Sequence, residues 1–283
     1  MTAAPKIPPA LDRMFESFQG FLYETAGIYF PEQRRDRLLT HVAARMEAVR
    51  QSDPGQYLAH LKASRGLGSE QWAFFNQVTV NETYFFREDQ QFAVFRDKVL
   101  PALFAARDRE HRDRVTILSA ACSSGEEAYS LAILILEALP REASRVTILG
   151  VDLNSEVVDQ AKKGLYGDYS VRNCTPEQLK RHFQKQGALY QISADVRRMV
   201  TFNVANLADA AAMGRLPRPD LILCRNALIY FDRASKARVL TNLGAILRPG
   251  GYLFLSQTET LFEVDHPFEL VHFFRVCGYR PKA

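Results

Sequence analysis

The chain has 283 residues, enough for one large domain or a main domain with an appendage. Its 47% hydrophobic and 24% charged content is ordinary for a globular protein, no apolar run approaches the ~20 residues of a membrane span, and a net charge of +4 is too mild to argue for nucleic acid. The start, MTAAPKIPPA, lacks the charged head and apolar core of a signal peptide, and Cys122, Cys174, Cys224 and Cys277 lie far apart with no CxxC pair. Reduced thiols in a cytoplasmic protein are expected, with no membrane insertion, no nucleic-acid partner and no metal.

In chain order, residues 11–67 read as small helices. Asp12–Tyr23 is amphipathic, Phe30-Pro31 breaks the chain, and a second helix is predicted from about Gln33 to Gln51. Asp53-Pro54-Gly55 turns the chain and caps a third helix, Gln56–Ala63; Trp72–Val80 reads as another. After the segment NETYFFR, Gln91–Arg107 is helical with Pro101 at an early turn or kink, and the mixed-sign run Arg107–Arg114 is a solvated connector. From there strands and helices alternate. Strands are predicted at Val115–Ala121, Val146–Val151, Val200–Val204, Leu221–Cys224 and Tyr252–Ser256. Helices are predicted at Glu126–Ala138, Ser155–Lys163 with Gly164 just past its end, and Ala234–Leu247 closed by Pro249-Gly250-Gly251. Phe268–Phe274 and a stretch near Tyr279 read as a terminal hairpin. This alternation implies a mostly parallel α/β sheet, doubly wound and covered on both faces. Asn173–Arg198 breaks the rhythm and reads as a small insertion with Ala188–Ile192 as one strand.

The stretch ILSAACSSGEEAYSLA, Ile117–Ala132, joins a strand to a helix through small residues, the arrangement by which α/β proteins seat a nucleotide. Here the turn is acidic: Glu126 and Glu127 stand where a phosphate would want bare N–H groups. Ser123-Ser124-Gly125 does not supply GxGxxG, and no Walker loop is present. S-adenosylmethionine (SAM) has no phosphate and carries a sulfonium and an ammonium, so it suits an acidic turn. First-turn acids also favour the helix dipole, which accounts for one glutamate more easily than for two. Asp152 ends the second strand, placed for ribose hydroxyls; alternatively, Asp152 or Asn154 caps the next helix.

NETYFFR (Asn81–Arg87), SAACSSGEEAYSLA, ILGVDLN, TFNVANL, DLILCRNALIYFD and LRPGGYLFLSQTETL occur in this order. With them the chain closely resembles the CheR-type chemotaxis receptor methyltransferases over nearly its whole length. It departs at Ala128, where the family usually has proline, and at Thr260-Leu261, in a tail that often reads SEN. Proline there mainly pre-sets φ, so alanine is expected to be tolerated.

The resemblance implies a Rossmann-like class I SAM methyltransferase domain over 86–283, a helical receptor-docking domain over 1–85, and a small antiparallel β insertion at about 173–200. It implies methyl esterification of glutamate side chains on the cytoplasmic signalling domain of chemoreceptors, by a monomer, with S-adenosylhomocysteine (SAH) as product. By motif, Asn81, Thr83 and Arg87 would contact the cofactor from the interdomain segment. Glu127 would bind its methionine end and Asp152 its ribose, Asn206 and Leu207 would flank the adenine, and Arg225 and Asn226 would line the pocket. Arg87 and Tyr230 would stand nearest the transferring methyl. A glutamate acceptor has a reference pKa of about 4.3 and needs no general base, which agrees with the lack of histidine in these motifs.

Arg34, Arg37, His41 and Arg45 follow helical spacing and are expected to share one basic face, with Leu38, Val42, Met46 and Val49 packed inward. Such a face is ordinarily plain solvated surface. The resemblance turns it into a docking face for an acidic receptor helix, through Arg34, Arg37 and Arg45. The insertion resembles the subdomain that some members use to hold a receptor's C-terminal tether. Its loop QKQGA (Gln184–Ala188) is short with one glycine, so independence from a tethering pentapeptide is expected. Two other readings stay open: a SAM-binding regulator that has lost catalysis, and a methyltransferase of small carboxylic acids.

Overall fold

The computed structural model describes residues 7–273 and 275–282. The first helices are α1 (Pro9–Asp12), α2 (Phe15–Ala26), α3 (Arg35–Ala48), α4 (Pro54–Ala63) and α5 (Glu70–Val78). Their inward positions, among them Phe18, Leu22, Leu38, Val42, Tyr57 and Phe74, close one hydrophobic core. Asp53 caps α4 by accepting from the Gln56 N–H (2.8 Å), and Pro54 opens the helix with a φ already suited to it. Two predicted helices begin late: Met14 interrupts the first, and a 3₁₀ turn at Glu32–Arg34 precedes α3.

Helices α6 (Asp89–Val94) and α7 (Leu100–Arg109) form one continuous rod through a π-type turn at Phe95–Val99. Of the two expected places for Pro101, an early turn or a kink, the structure shows the first: Pro101 lies in the opening turn of α7, directly after the widened turn, where its missing N–H costs least.

The alternating region follows as β1 (Val115–Ala120), α8 (Glu126–Ala138), β2 (Val146–Asp152), α9 (Ser155–Lys163), β3 (Leu165–Tyr166), α10 (Asp168–Val171), α11 (Pro176–His182), β4 (Phe183–Gln186), β5 (Leu189–Ile192), α12 (Ala194–Arg197), β6 (Val200–Val204), α13 (Ala210–Gly214), β7 (Leu221–Leu223), α14 (Arg233–Ile246), β8 (Tyr252–Phe254), β9 (Phe268–Phe273) and β10 (Val276–Pro281). The main sheet has seven strands in the order β6-β2-β1-β7-β8-β10-β9. The first five run parallel, while β10 is antiparallel to β8 and β9. The predicted hairpin is there; Phe274, to which the strand was extended, lies outside the described residues.

The central strands read as unbroken apolar runs because both faces are covered. Ile117, Ile148, Leu221 and Phe254 point into one core, and their neighbours Leu118, Leu149, Ile222 and Leu253 point into the other. Chain order reverses between β1 and β7, which opens a crevice beyond their carboxyl ends. The helical domain closes over it. Ile28 bridges to Phe231, the Tyr29 N–H donates to the Tyr230 carbonyl (3.1 Å), and Asn206 Nδ2 donates to the Thr25 carbonyl (2.7 Å).

The insertion differs from expectation. Its antiparallel sheet has three strands, β3-β5-β4, and begins at Leu165 rather than Asn173. Two residues of β3 are too short for an alternating pattern to show. Helices α11 and α12 also lie inside a stretch expected to be β. The first is held by a capping box between Thr175 and Gln178, and by Pro176 at its first position.

Candidate active site

A cavity of about 260 Å³ occupies the crevice, walled by the carboxyl ends of β1 and β2, the 81–87 segment, the loop after β7 and the helical domain. Asn81, Thr83, Arg87, Glu127, Asp152, Asn206, Leu207, Arg225, Asn226 and Tyr230 all line it, with Arg34 and Arg37 exposed at its rim.

The strand-to-helix turn is built from unusual backbone. Ala121 (φ 62°), Ser123 (φ 50°) and Gly125 (φ 92°) are all left-handed. A side chain at Gly125 would meet Ala161 Cβ and Phe202 Cζ at 2.8 Å each, so only glycine lets α8 start so close to α9 and β6. The two glutamates then diverge by a third of a helical turn. Glu127 enters the cavity, where it accepts from Ser119 Oγ (2.6 Å) and pairs with Arg225 Nη1 (3.1 Å). Glu126 turns away and is buried against Ser124 Oγ (2.7 Å) and Ser170 Oγ (2.9 Å). The charge argument for the turn therefore rests on one carboxylate, not two. Burial raises both glutamates above the usual range, and Arg225 opposes the effect at Glu127.

Asp152 and Asn154 divide the roles left open in the sequence. Asn154 Oδ1 caps α9, accepting from the N–H groups of Glu156 (2.9 Å) and Val157 (3.2 Å). Asp152 stays at the cavity and accepts from Ser123 N–H (2.9 Å) and Asn154 N–H (2.8 Å). Each oxygen keeps further acceptor capacity. Burial raises this carboxyl too, partly offset by those backbone donors.

The loop after β7 brings Arg225, Asn226 and Tyr230. Arg225 is 2% exposed; it pairs with Glu127 and with Glu88 (3.4 Å) and donates to the Arg87 carbonyl. Its buried Nε has no partner in the structure. Asn226 is left-handed (φ 57°), and Glu259 holds the loop by accepting from Asn226 N–H and Leu228 N–H at 2.8 Å each. Glu259 and Glu88 were not predicted as site residues. Glu88 directly follows NETYFFR, and Glu259 stands just past the last parallel strand, where an acid can reach neighbouring loop amides. Burial raises the Tyr230 hydroxyl, opposed by the charges of Arg37, Arg34 and Arg87 around it. Arg87 donates to the Glu82 carbonyl (3.1 Å) and lies over the Tyr84 ring.

The expected basic face does not survive intact. Arg34 sits in the 3₁₀ turn rather than on α3. Arg45 is locked to Glu70 by two hydrogen bonds (3.0 and 2.6 Å), with Tyr57 on the same carboxylate (2.8 Å). It ties α3 to α5. His41 is half-buried beside Gln77, and burial lowers its pKa.

The donor set fits SAM by its chemistry: the Asp152 carboxylate at the end of β2, the Glu127 carboxylate in the first turn of α8, and beside Glu127 the Arg225 guanidinium with an unpartnered buried Nε–H. Fold and site define an α/β SAM methyltransferase with a helical domain over the pocket. Residues 81–277 match the family model "CheR methyltransferase, SAM binding domain", and residues 13–79 match "CheR methyltransferase, all-alpha domain". The chain belongs to the CheR methyltransferase family. It is 33% identical to chemotaxis protein methyltransferase 1 of Pseudomonas aeruginosa, over 95% of this chain and 97% of that protein. It is 32% identical to chemotaxis protein methyltransferase 2 of Vibrio cholerae, over 95% and 92%. The Escherichia coli chemotaxis protein methyltransferase is 32% identical, over 92% and 88%. Among the described residues no helix is long and apolar enough to cross a membrane, and no cluster of three or more metal-ligating side chains occurs.

Proposed function

We propose that this protein transfers the SAM methyl group to glutamate carboxylates on the cytoplasmic signalling domain of chemoreceptors, acting as a cytoplasmic monomer. One observation carries the reading. Arg87 and Tyr230, from separate segments, meet in one cavity with Glu127 and Asp152 within and Arg34 and Arg37 at its rim.

SAM, when bound, supplies an electrophilic methyl on a sulfonium. Glu127 and the Arg225 Nε would hold its ammonium and carboxylate, and Asp152 its ribose. Asn81 and Thr83 would close over it from the 81–87 segment, and Asn206, Leu207 and Asn226 would bound the adenine side. The acceptor glutamate is ionised near neutrality, its pKa being about 4.3, so no side chain has to remove a proton. Arg87 grips the acceptor carboxylate, and the Tyr230 hydroxyl donates to it and aims one oxygen at the methyl. With SAM bound, that oxygen would take the methyl and the C–S pair would return to sulfur, leaving a neutral ester and a neutral thioether. Because both charges vanish, the residues gain most by positioning and by excluding water.

Radiolabelled SAM with a receptor signalling domain should place base-labile methyl ester on that domain. Label confined to RNA or to a small carboxylic acid would sink the proposal. Receptor methylation should also proceed without a C-terminal tether. The β4–β5 hairpin turns on only Gly187 and Ala188, with Gly187 left-handed (φ 61°). Calorimetry should detect no micromolar binding of a receptor C-terminal pentapeptide; a measurable isotherm would overturn this expectation.

A further inference from the structure

The 82–88 segment carries several cavity residues in a shape that its own backbone resists. Phe86 (φ 55°) and Glu88 (φ 61°) are both left-handed without being glycine. Such conformations persist only where the surroundings over-determine them. The main domain supplies part of them, the Phe86 N–H donating to Ser130 Oγ (2.9 Å) and Glu88 pairing with Arg225 (3.4 Å), and the small β-subdomain supplies the rest. The Phe85 N–H donates to the Ser170 carbonyl (2.9 Å), and the Phe85 ring packs edge-on against Tyr166 and Phe183 at 4.9 and 5.1 Å. Ser170 is in turn anchored by Glu126 (2.9 Å), which gives the buried first glutamate of the turn a role.

On the surface a second clasp repeats the first. The Arg172 guanidinium is sandwiched between the Tyr84 ring (3.5 Å) and the Tyr169 ring (3.7 Å). The Tyr169 hydroxyl donates to Glu82 Oε1 (2.8 Å). Arg87, whose guanidinium also lies over Tyr84, donates to the Glu82 carbonyl. Tyr169 and Arg172 are both exposed and neither lines the cavity, yet each touches a residue that does.

We infer that Tyr169 and Arg172 are positioning residues: through Glu82 and Tyr84 they hold the strained 82–88 segment, and with it Arg87, in the shape that grips SAM. The inference rests on the proposed SAM pocket. It makes the β-subdomain a working part of cofactor binding in this protein.

The test is SAH titration calorimetry on the full chain, with melting temperature recorded alongside and SAM KM and kcat measured separately. Arg172→Ala should weaken SAH binding roughly three- to tenfold, the scale of two exposed cation–π contacts, and raise KM for SAM. Arg172→Lys should recover part of the loss, Tyr169→Phe should show a smaller one, and Lys185→Ala, on β4, should show none. Melting temperature should stay near that of the wild type in all four. Wild-type affinity in both Arg172→Ala and Tyr169→Phe would overturn the inference. So would losses that follow melting temperature, or that appear equally in Lys185→Ala. Failure of the wild type to bind SAH would overturn the SAM pocket itself, and this inference with it.

Discussion

At the scale of residues, the proposed roles separate binding from turnover. Asp152, which we propose meets the cofactor's hydroxyls, braces the Ser123 and Asn154 amides. Asp152→Ala should weaken SAH roughly tenfold to a hundredfold, the worth of hydrogen bonds to a charged group, as read by calorimetry. Tyr230→Phe should leave SAH affinity near wild type and lower kcat about tenfold, the lower end of the worth of a hydrogen bond to a charged group. The reverse pattern would exchange their roles. Motif matching chose Glu127 and Asp152, whereas the local physics of the sequence left each pair of neighbours open. Glu126 and Glu127 are equivalent in sequence, and Asp152 and Asn154 are equally good caps. Only the directions of α8 and α9 decide which side chain faces the cavity.

Elements decide what the basic helix is for. Spacing alone grouped Arg34, Arg37, His41 and Arg45. The 3₁₀ turn shifts Arg34 toward the cavity rim, and Glu70, 25 residues beyond Arg45, claims Arg45 for the α3–α5 contact. A partner so far along the chain leaves no local pattern. Arg34→Glu with Arg37→Glu should therefore cut receptor methylation at least tenfold through KM for the receptor, with SAH affinity retained, because like charges would now face an acidic partner. Arg45→Ala should act differently. It leaves the Glu70 carboxylate with Tyr57 as its one remaining side-chain donor and should cost about 1–3 kcal/mol in denaturant unfolding, with receptor KM unchanged in the folded fraction. If Arg45→Ala raised receptor KM without a loss of stability, Arg45 would act in docking rather than as a strut.

Taken whole, the molecule couples ligand, pH and stability through acids buried at one place. Burial raises Glu127 and Asp152, so both protonate at a higher pH than free carboxylates. In the unliganded protein that contribution to stability is full below the unfolded-state pKa and is lost as pH rises through the folded one. Binding of an ammonium and ribose runs the other way, since it needs the ionised acids. The gain in melting temperature from saturating SAH should therefore be larger at pH 7.5 than at a pH within the ordinary carboxylate range, falling as pH drops through the raised values of these two acids. At a hundred times Kd the gain corresponds to about 2.7 kcal/mol, measurable by scanning calorimetry. A shift independent of pH would mean that neither acid meets the ligand.

The sequence by itself determined the elements and the chemistry. Uninterrupted apolar strands appear only in a sheet covered on both faces, and helix periods set α8 and α9 to the residue. The acidic turn and the motifs around it named the cofactor class. Those signals are local, carried by a few neighbouring residues. Tertiary structure alone decided the rest: that β3 joins a sheet beginning at Leu165, that Arg45 is a strut, that Glu259 and Glu88 hold the site, and that Glu126 serves the β-subdomain. Each of these is a contact between residues far apart in the chain. Their partners are selected by packing and by the need to satisfy buried polar groups, neither of which leaves a periodic trace in the sequence.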